Sequence, residues 1–223
     1  MTGGTGYFAR PRPEMVPFVP AGARRIVDVG CGQGCFASRL REERGAEVWG
    51  IELDPLAAGM AAERLDRVLT GDALARVPDL PDAYFDCAVL NDLLEHLYAP
   101  ETLLRLLRPK LAPGGCVVAS IPNVRHFSNL WNLVVGGEWR YADEGILDRT
   151  HVRFYTRRSM GRLFATAGYR LTRQAGITPT RSWKFRLINL AALGRLADTR
   201  WLQFACVAEP EAKPVVERGA FTG

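Results

Sequence analysis

The sequence lacks a long apolar run, a paired-cysteine motif and an apolar leader, and each absence argues against a class of protein. No run of about eighteen apolar residues occurs, so the sequence predicts no membrane-spanning helix. The opening MTGGTGYFARPRPEM has no apolar core of the kind a secretory signal needs, and we expect a cytoplasmic protein. The five cysteines are scattered without a CxxC pair, which favours reduced, buried thiols over disulfides or zinc ligands.

Lysine is also scarce, since Lys110, Lys184 and Lys213 are the only three, yet the formal net charge is +5 because arginine is abundant. A basic excess can attract phosphates or acidic lipids. The basic residues are spread along the chain, and no module that mixes aromatic and basic residues accompanies them. We therefore do not expect nucleic acid to be the partner.

Strands and helices alternate over the first 123 residues. Short apolar runs rich in β-branched residues predict strands at 24–30, 46–53, 67–72, 85–92 and 116–123. Helical spacing predicts helices at 35–44, 55–66 and 100–111, the second capped by Asp54 and Pro55 and the third ended by a breaker, APGG, at 112–115. Short links between such elements indicate a parallel sheet with helices on both faces.

The rhythm changes after residue 123. The segment 124–156 is aromatic and irregular, and we expect it to form a substrate cap over the sheet. The segment 157–171 predicts a helix, a glycine that ends it and the start of a strand. An apolar helix is predicted at 185–197 and a last strand at 201–209. We predict one domain over 1–209 and a loose tail over 210–223. The 185–197 helix, flanked by Lys184, Arg186 and Arg195, is open to three interpretations: a lid, a dimer face or a membrane contact.

Three glycines follow the first strand in IVDVGCGQGCF, at Gly30, Gly32 and Gly34. Glycine permits positive φ and close approach of a ligand, and the helix that follows presents free N–H groups. The spacing is GxGxG, whereas the dinucleotide fingerprint is GxGxxG. Asp28 precedes this loop and has no obvious role beside a pyrophosphate. A loop with an acid suits a nucleoside that carries an amino acid.

Two further acids stand at the ends of the next strands. Glu52 could accept hydrogen bonds from both hydroxyls of a ribose, and Asp72 could hold an adenine amino group. Each acid alone could equally be a cap or a surface residue. Their placement at successive strand ends, together with the glycine loop, favours one ligand spanning all three.

These motifs resemble the class I S-adenosylmethionine-dependent methyltransferases. The matching pieces are VDVGCGQG (27–34), GIELDP (50–55), GDAL (71–74), FDCAVLNDLLEHL (85–97) and LAPGGCVVASIPN (111–123). The resemblance implies a Rossmann-like α/β fold with a seven-stranded, mostly parallel sheet whose last strand is antiparallel, and S-adenosyl-L-methionine as cofactor. A narrower likeness points to bacterial enzymes of glycan and natural-product biosynthesis and to the methionine-biosynthesis protein W.

The resemblance also implies that residues 1–20 fold over the cofactor, with Tyr7 lining the methyl site and Arg12 paired to a carboxylate. The full set of candidate cofactor residues is Tyr7, Arg12, Asp28, Gly30, Cys31, Gly32, Gly34, Glu52, Leu53, Asp72, Ala73 and Asn91.

A methyl acceptor must lose a proton, and histidine is the usual general base near neutral pH. His151 and His96 are the candidates, with His126 a lesser one, and each could instead be structural. Methyl transfer requires no metal, and we expect none; His96 with Asp92 is the one metal-like pair. Aromatic residues in 124–156 could stack on an acceptor or simply pack.

The sequence thus predicts an S-adenosylmethionine-dependent methyltransferase that acts on a small molecule, with O-methylation of a sugar, a glycan precursor or a related natural product as the preferred reaction. A lipid-linked glycan is one possible acceptor, and a homodimer is one possible assembly. Two alternatives remain: a binding protein with this fold that regulates a biosynthetic enzyme, and an RNA methyltransferase.

Overall fold

The computed structural model describes residues 11–211, and seven strands run through them. They are β1 (Arg25–Val29), β2 (Glu47–Glu52), β3 (Arg67–Thr70), β4 (Phe85–Asn91), β5 (Leu111–Pro122), β6 (Tyr169–Pro179) and β7 (Trp201–Pro210). The helices are α1 (Cys35–Arg44), α2 (Pro55–Ala62), α3 (Ala73–Arg76), α4 (Pro100–Leu107), α5 (Phe127–Val134), α6 (Arg157–Thr166) and α7 (Trp183–Ala191). Short 3₁₀ helices occupy Pro13–Phe18, Val77–Asp79, Leu94–His96, Arg108–Lys110 and Ala197–Arg200.

The strands form one sheet in the order β3-β2-β1-β4-β5-β7-β6. Neighbours from β3 to β5 are parallel, while β7 is antiparallel to both β5 and β6. The predicted fold class, including its antiparallel last strand, is therefore confirmed. Because parallel strands end at the same edge of a sheet, the loops after β1, β2, β3 and β4 all open at one edge, where α/β proteins bind ligands.

Apolar side chains cover both faces of the sheet. One buried cluster includes Leu90, Leu103 and Phe164, and joins α4 and α6 to the sheet. The other includes Phe36 and Leu40 of α1, which pack on the opposite face. The helices therefore lie on two sides of the sheet, as the strand–helix alternation predicts. The five cysteines are free thiols, and all but Cys35 are buried.

The predicted breaker at 112–115 is wrong, because these residues lie inside β5. Leu111 pairs with Phe85 and Cys116 pairs with Cys87, so residues 112–115 form an irregular excursion opposite a single residue of β4. Proline and glycine are typical of turns, but they are also tolerated at bulges, where ladder hydrogen bonds are interrupted.

Three predicted helices have different ends in the structure. The helix predicted at 55–66 ends at Ala62, and Asp66 instead accepts a hydrogen bond from the Val48 amide at the start of β2. The helix predicted at 100–111 ends at Leu107. The helix predicted at 185–197 covers Trp183–Ala191, because the Ser182 hydroxyl caps its start. Leu193 and Gly194, which follow it, both have positive φ and do not continue the helix.

The segment 124–156 leaves the sheet at the end of β5, and its two ends lie side by side. The Val124 amide donates to the carbonyl of Tyr155 at 2.8 Å, and Asn123 forms a bridge with Tyr155. Several of its aromatic rings contact one another, as Trp139 and Phe154 do at 5.3 Å between centroids. Its role as a substrate cap stays a prediction. In residues 11–211, no helix is both long enough and apolar enough to cross a bilayer.

Candidate functional site

The glycine loop follows β1 in the backbone conformation that the sequence predicts. Gly30, Gly32 and Gly34 have φ of 77°, 55° and 76°, in the left-handed region that favours glycine. A Cβ added at Gly34 would lie 3.3 Å from the Cα of Ala61 in α2, so this position also needs a small residue for packing. The loop is thereby held against α2 at the sheet edge.

Glu52 fixes this loop from the end of β2. One carboxylate oxygen accepts from the Gly32 amide at 2.8 Å, and the other accepts from the Asp54 amide at 2.9 Å. The side chain is buried. The structure thus brings Glu52 and the glycine loop together, as their spacing predicts, and adds a direct contact that the sequence did not indicate.

We expect Glu52→Gln to lower the free energy of unfolding of the ligand-free chain by about 1–3 kcal/mol. Glutamine keeps only one acceptor oxygen, so its amide group faces one of the two backbone N–H donors. Chemical denaturation measures the change, and Glu63→Gln, an exposed position just after α2, is the matched control. An unchanged free energy of unfolding for Glu52→Gln would show that the loop does not depend on this carboxylate.

Asp28 lies in β1, two residues before the loop, and is only 2% exposed. Its Oδ1 has no hydrogen-bond partner among the described residues. Burial, with a smaller contribution from Glu52, raises the pKa of Asp28 to about 7. A buried carboxylate that lacks a partner is costly unless a cation or a donor from a ligand approaches it.

The neighbouring Cys31 is buried, and its thiol is not activated. Burial, followed by the negative charges of Asp28 and Glu52, raises the pKa of Cys31 well above its usual range. Because only the thiolate is a strong nucleophile, we assign Cys31 to the lining of the loop and not to covalent chemistry.

The other sequence-predicted residues at this edge differ in their surroundings. Asp72 caps α3, where its Oδ1 accepts from the amides of Leu74 and Ala75. Ala73 is buried, while the side chain of Leu53 is 62% exposed. Asn91, the last residue of β4, has both side-chain polar atoms buried without a partner in residues 11–211. Unsatisfied amide groups at the ligand-binding edge indicate a polar ligand.

Arg12 connects the segment before β1 to the ends of three strands. Its guanidinium donates to the carboxylate of Asp92 and, at 2.8 Å, to Oε1 of Gln203 in β7. Asp92 in turn accepts from Gln203 and from Ser120 of β5. Arg12 therefore pairs with two carboxylates, the nearby Glu14 at 2.7 Å and the distant Asp92. The sequence did not indicate Asp92 as a partner of Arg12. Tyr7, the other candidate in this segment, lies outside the described residues.

The structure brings His96 and His151 together and keeps His126 apart. The His96 and His151 rings meet edge to face with centroids 4.7 Å apart. His126 precedes α5, where its Nδ1 lies 2.9 Å from the Ser128 hydroxyl. Two histidines separated by 55 positions along the chain thus form one pair after β4.

His151 lines a cavity of about 240 Å³ whose wall also includes Arg12, Asp92, Glu95 and Asp148. Its Nδ1 lies 2.9 Å from the carbonyl oxygen of Ile146. Since a carbonyl only accepts, Nδ1 carries the proton, and Nε2 is the basic nitrogen of the neutral ring. Nε2 lies 3.9 Å from Oε1 of Glu95. This tautomer suits a proton acceptor.

Glu95 is 1% exposed and completes the arrangement. Burial, followed by the charge of Asp92, raises the pKa of Glu95 well above its usual range. Burial, followed by His151, lowers the pKa of His96. Both shifts favour the uncharged form, a protonated carboxyl at Glu95 and a neutral imidazole at His96.

One ligand atom from each of Glu95, His96 and His151 lies within 4.8 Å of the others, a grouping that a divalent cation could use. The sequence pointed instead to His96 with Asp92, because His151 is distant along the chain. Metal binding would require an ionised Glu95, which its burial opposes. We therefore interpret the group as a carboxyl–imidazole cluster.

Comparison with known proteins adds to this geometry. A family model described as a methyltransferase domain matches residues 5–174. The ubiquinone biosynthesis O-methyltransferase of Azoarcus sp. (strain BH72) is 33% identical over 191 residues, 82% of this chain and 77% of that protein. The protein of the same name from Aeromonas salmonicida (strain A449) is 29% identical over 189 residues, 80% of this chain and 74% of that one. A solved S-adenosylmethionine-dependent methyltransferase from Archaeoglobus fulgidus has a TM-score of 0.64 and 24% identity, over 91% of this chain and 92% of that one, a likeness of fold.

Proposed function

This chain belongs to the methyltransferase-domain family, and we propose that, as an S-adenosylmethionine-dependent methyltransferase, it methylates a hydroxyl oxygen of a small molecule. The O-methyltransferase names of the relatives support oxygen as the accepting atom. The observation that carries the proposal is the position of His151, which lines a polar cavity after β4 with a basic Nε2.

Residues at the carboxyl ends of β1, β2 and β4 fit the cofactor. Asp28 supplies a buried carboxylate with an unpartnered oxygen, which suits the ammonium group on the methionine part of the cofactor. Asn91 supplies an unpartnered amide. Glu52 holds the loop and keeps lone pairs for the ribose hydroxyls. S-Adenosylmethionine, when bound, would supply a methyl group on a positively charged sulfur, and the neutral thioether, S-adenosylhomocysteine, is a good leaving group.

The chain's own part in the reaction is to position the acceptor and remove its proton. We place the acceptor in the 240 Å³ cavity, where Arg12 and Asp92 provide polar walls. Nε2 of His151 accepts the hydroxyl proton as the oxygen–methyl bond forms, and the Ile146 carbonyl stabilises the resulting imidazolium through Nδ1. His96, which contacts the edge of this ring, positions it.

The acceptor class remains part of the proposal. The names of the two O-methyltransferase relatives refer to ubiquinone biosynthesis, so hydroxylated quinone precursors are the first acceptors to test. Sugars and glycan precursors, which the narrower sequence likeness favours, stay a prediction.

We expect the purified chain to convert S-adenosylmethionine to S-adenosylhomocysteine when supplied with a hydroxylated quinol or phenol, and to give an O-methyl ether. Mass spectrometry of both products measures this across a panel of phenols, sugars and amines. Transfer to nitrogen or carbon would contradict the proposed oxygen acceptor. Tight cofactor binding without turnover on any hydroxyl would favour the regulatory alternative.

A further inference from the structure

One segment in the second half of the chain carries charge of only one sign. Residues 149–197 contain no aspartate or glutamate, although the chain as a whole has 24 acidic residues. The same segment contains eleven basic residues, which are Arg149, Arg153, Arg157, Arg158, Arg162, Arg170, Arg173, Arg181, Lys184, Arg186 and Arg195. A concentration of one sign of charge in a single segment attracts an oppositely charged partner.

Helix α7, near the end of this segment, exposes apolar side chains along one face. Trp183, Leu187, Leu190 and Leu193 are 66%, 57%, 73% and 82% exposed. Trp183, Leu187 and Leu190 are spaced by four and three residues, which follows the helix period, and Leu193 is a further exposed leucine just beyond the end of α7. Large side chains in such a row do not stabilise the fold of the isolated chain and indicate a contact surface.

The end of α5 extends the apolar area. Leu133, Val134 and Val135 are exposed there. The two helices pack together, since the Phe127 and Phe185 rings have centroids 5.7 Å apart and Nζ of Lys184 lies 5.3 Å from the Trp131 ring. We call these exposed residues of α5 and α7 the apolar surface.

A basic groove begins where this surface ends. Its cavity of about 380 Å³ is lined by four arginines, Arg125, Arg157, Arg158 and Arg195. Asp198 is the acid in its lining, and it pairs with Arg125 at 3.1 Å. Three guanidiniums thus remain without a carboxylate in the groove, an arrangement suited to phosphate oxygens.

We propose that the apolar surface and the basic groove together form a docking surface for a membrane that contains anionic phospholipid. Trp183 and the leucines enter the interface between headgroups and acyl chains, and the arginines bind lipid phosphates. Charge complementarity favours this partner over a second copy, because two such surfaces face to face would juxtapose basic residues without acids. Nucleic acid would satisfy the arginines and leave the apolar row exposed.

Vesicle flotation tests the proposal on the full chain. We expect binding to vesicles of phosphatidylcholine with phosphatidylglycerol, little binding to phosphatidylcholine alone, and weaker binding at high salt. The triple variant Leu187→Ser, Leu190→Ser, Leu193→Ser should bind anionic vesicles at least roughly tenfold less. Replacing Lys184, Arg186 and Arg195 by glutamine should weaken binding to anionic vesicles roughly fivefold for each charge removed. Leu56→Ser, an 80% exposed leucine of α2, and Arg39→Gln in α1 are the matched controls and should bind normally.

Three results would overturn the proposal. The first is a folded chain that does not float with anionic vesicles. The second is a dimer of the unsubstituted chain in analytical ultracentrifugation that the triple leucine variant converts to monomer, while that variant still binds vesicles normally. The third is saturable binding of inorganic phosphate without vesicle binding, which would assign the groove to a free anion. None of these readouts requires methyl transfer, so they do not depend on the acceptor proposed above.

Discussion

Replacing Asp28 with asparagine should weaken S-adenosylmethionine binding on the order of a hundredfold while making the ligand-free chain more stable at and above neutral pH. The ionised carboxylate is buried with an unpartnered oxygen, so in the empty site it pays a desolvation cost that asparagine avoids. With the cofactor bound, the same carboxylate faces an ammonium group. Losing a buried charge pair of this kind costs about 3 kcal/mol or more, which gives the expected fold-change.

The pH dependence follows from the pKa of about 7 that burial gives Asp28. Because this pKa is raised above its value in the unfolded chain, the stability contributed by the protonated form is present in acid and is lost as the pH rises through about 7. Affinity for the cofactor changes in the opposite sense. It falls below about pH 7, because Asp28 must release its proton before it can pair with the ammonium group. Thermal melts and calorimetric titrations on both sides of neutrality measure the two trends, and Asp28→Asn should flatten both.

Asp86→Asn is the matched control, since Asp86 lies at the start of the neighbouring strand β4. Burial alone would raise the pKa of Asp86, but the amides of Arg24 and Arg25 donate to its carboxylate and lower it. We therefore expect Asp86→Asn to destabilise the chain at neutral pH and to leave cofactor affinity unchanged. If Asp28→Asn bound the cofactor as tightly as the unsubstituted chain, the assignment of Asp28 to the ammonium group would be wrong.

Local patterns in the sequence were sufficient for most of the fold. Alternating strands and helices with short links fix a parallel sheet, and glycine, Glu52 and Asp72 at strand ends must then meet at one edge. The errors fall where local signals compete. Ala112 to Gly115 contain turn residues, yet the pairing of β4 with β5 on either side holds them in the strand as a bulge.

The contacts that complete the candidate site could not be predicted, because they join residues far apart along the chain. Arg12 meets Asp92 across 80 positions, and His151 approaches Glu95 across 56. Such pairs depend on where the segment 124–156 and the segment before β1 pack against the sheet. The hydrophobic periodicity of the sequence does not indicate those positions. The buried, raised-pKa carboxyl of Glu95 is likewise a product of packing and not of its neighbours in sequence.

Replacing His151 with glutamine should reduce kcat by roughly a hundredfold to ten-thousandfold, the usual contribution of a positioned general base, with little change in KM. Glutamine can still donate to the Ile146 carbonyl, so the loop around residue 151 keeps that hydrogen bond. It cannot accept a proton from the acceptor. Steady-state assays with the acceptor found in the panel, together with calorimetric titration of the cofactor, separate loss of catalysis from loss of binding.

The controls distinguish a base from a structural residue and from a metal ligand. His126→Gln alters a buried histidine outside the cavity and should leave kcat unchanged, while His96→Gln, which perturbs the ring packed against His151, should lower it by a smaller factor. Activity should survive a chelator, because burial opposes the ionised Glu95 that a divalent cation would need. Loss of activity in the chelator with restoration by a divalent cation would assign Glu95, His96 and His151 to a metal. Full activity of His151→Gln at every pH would exclude this histidine as the base, since glutamine cannot accept the proton of the acceptor.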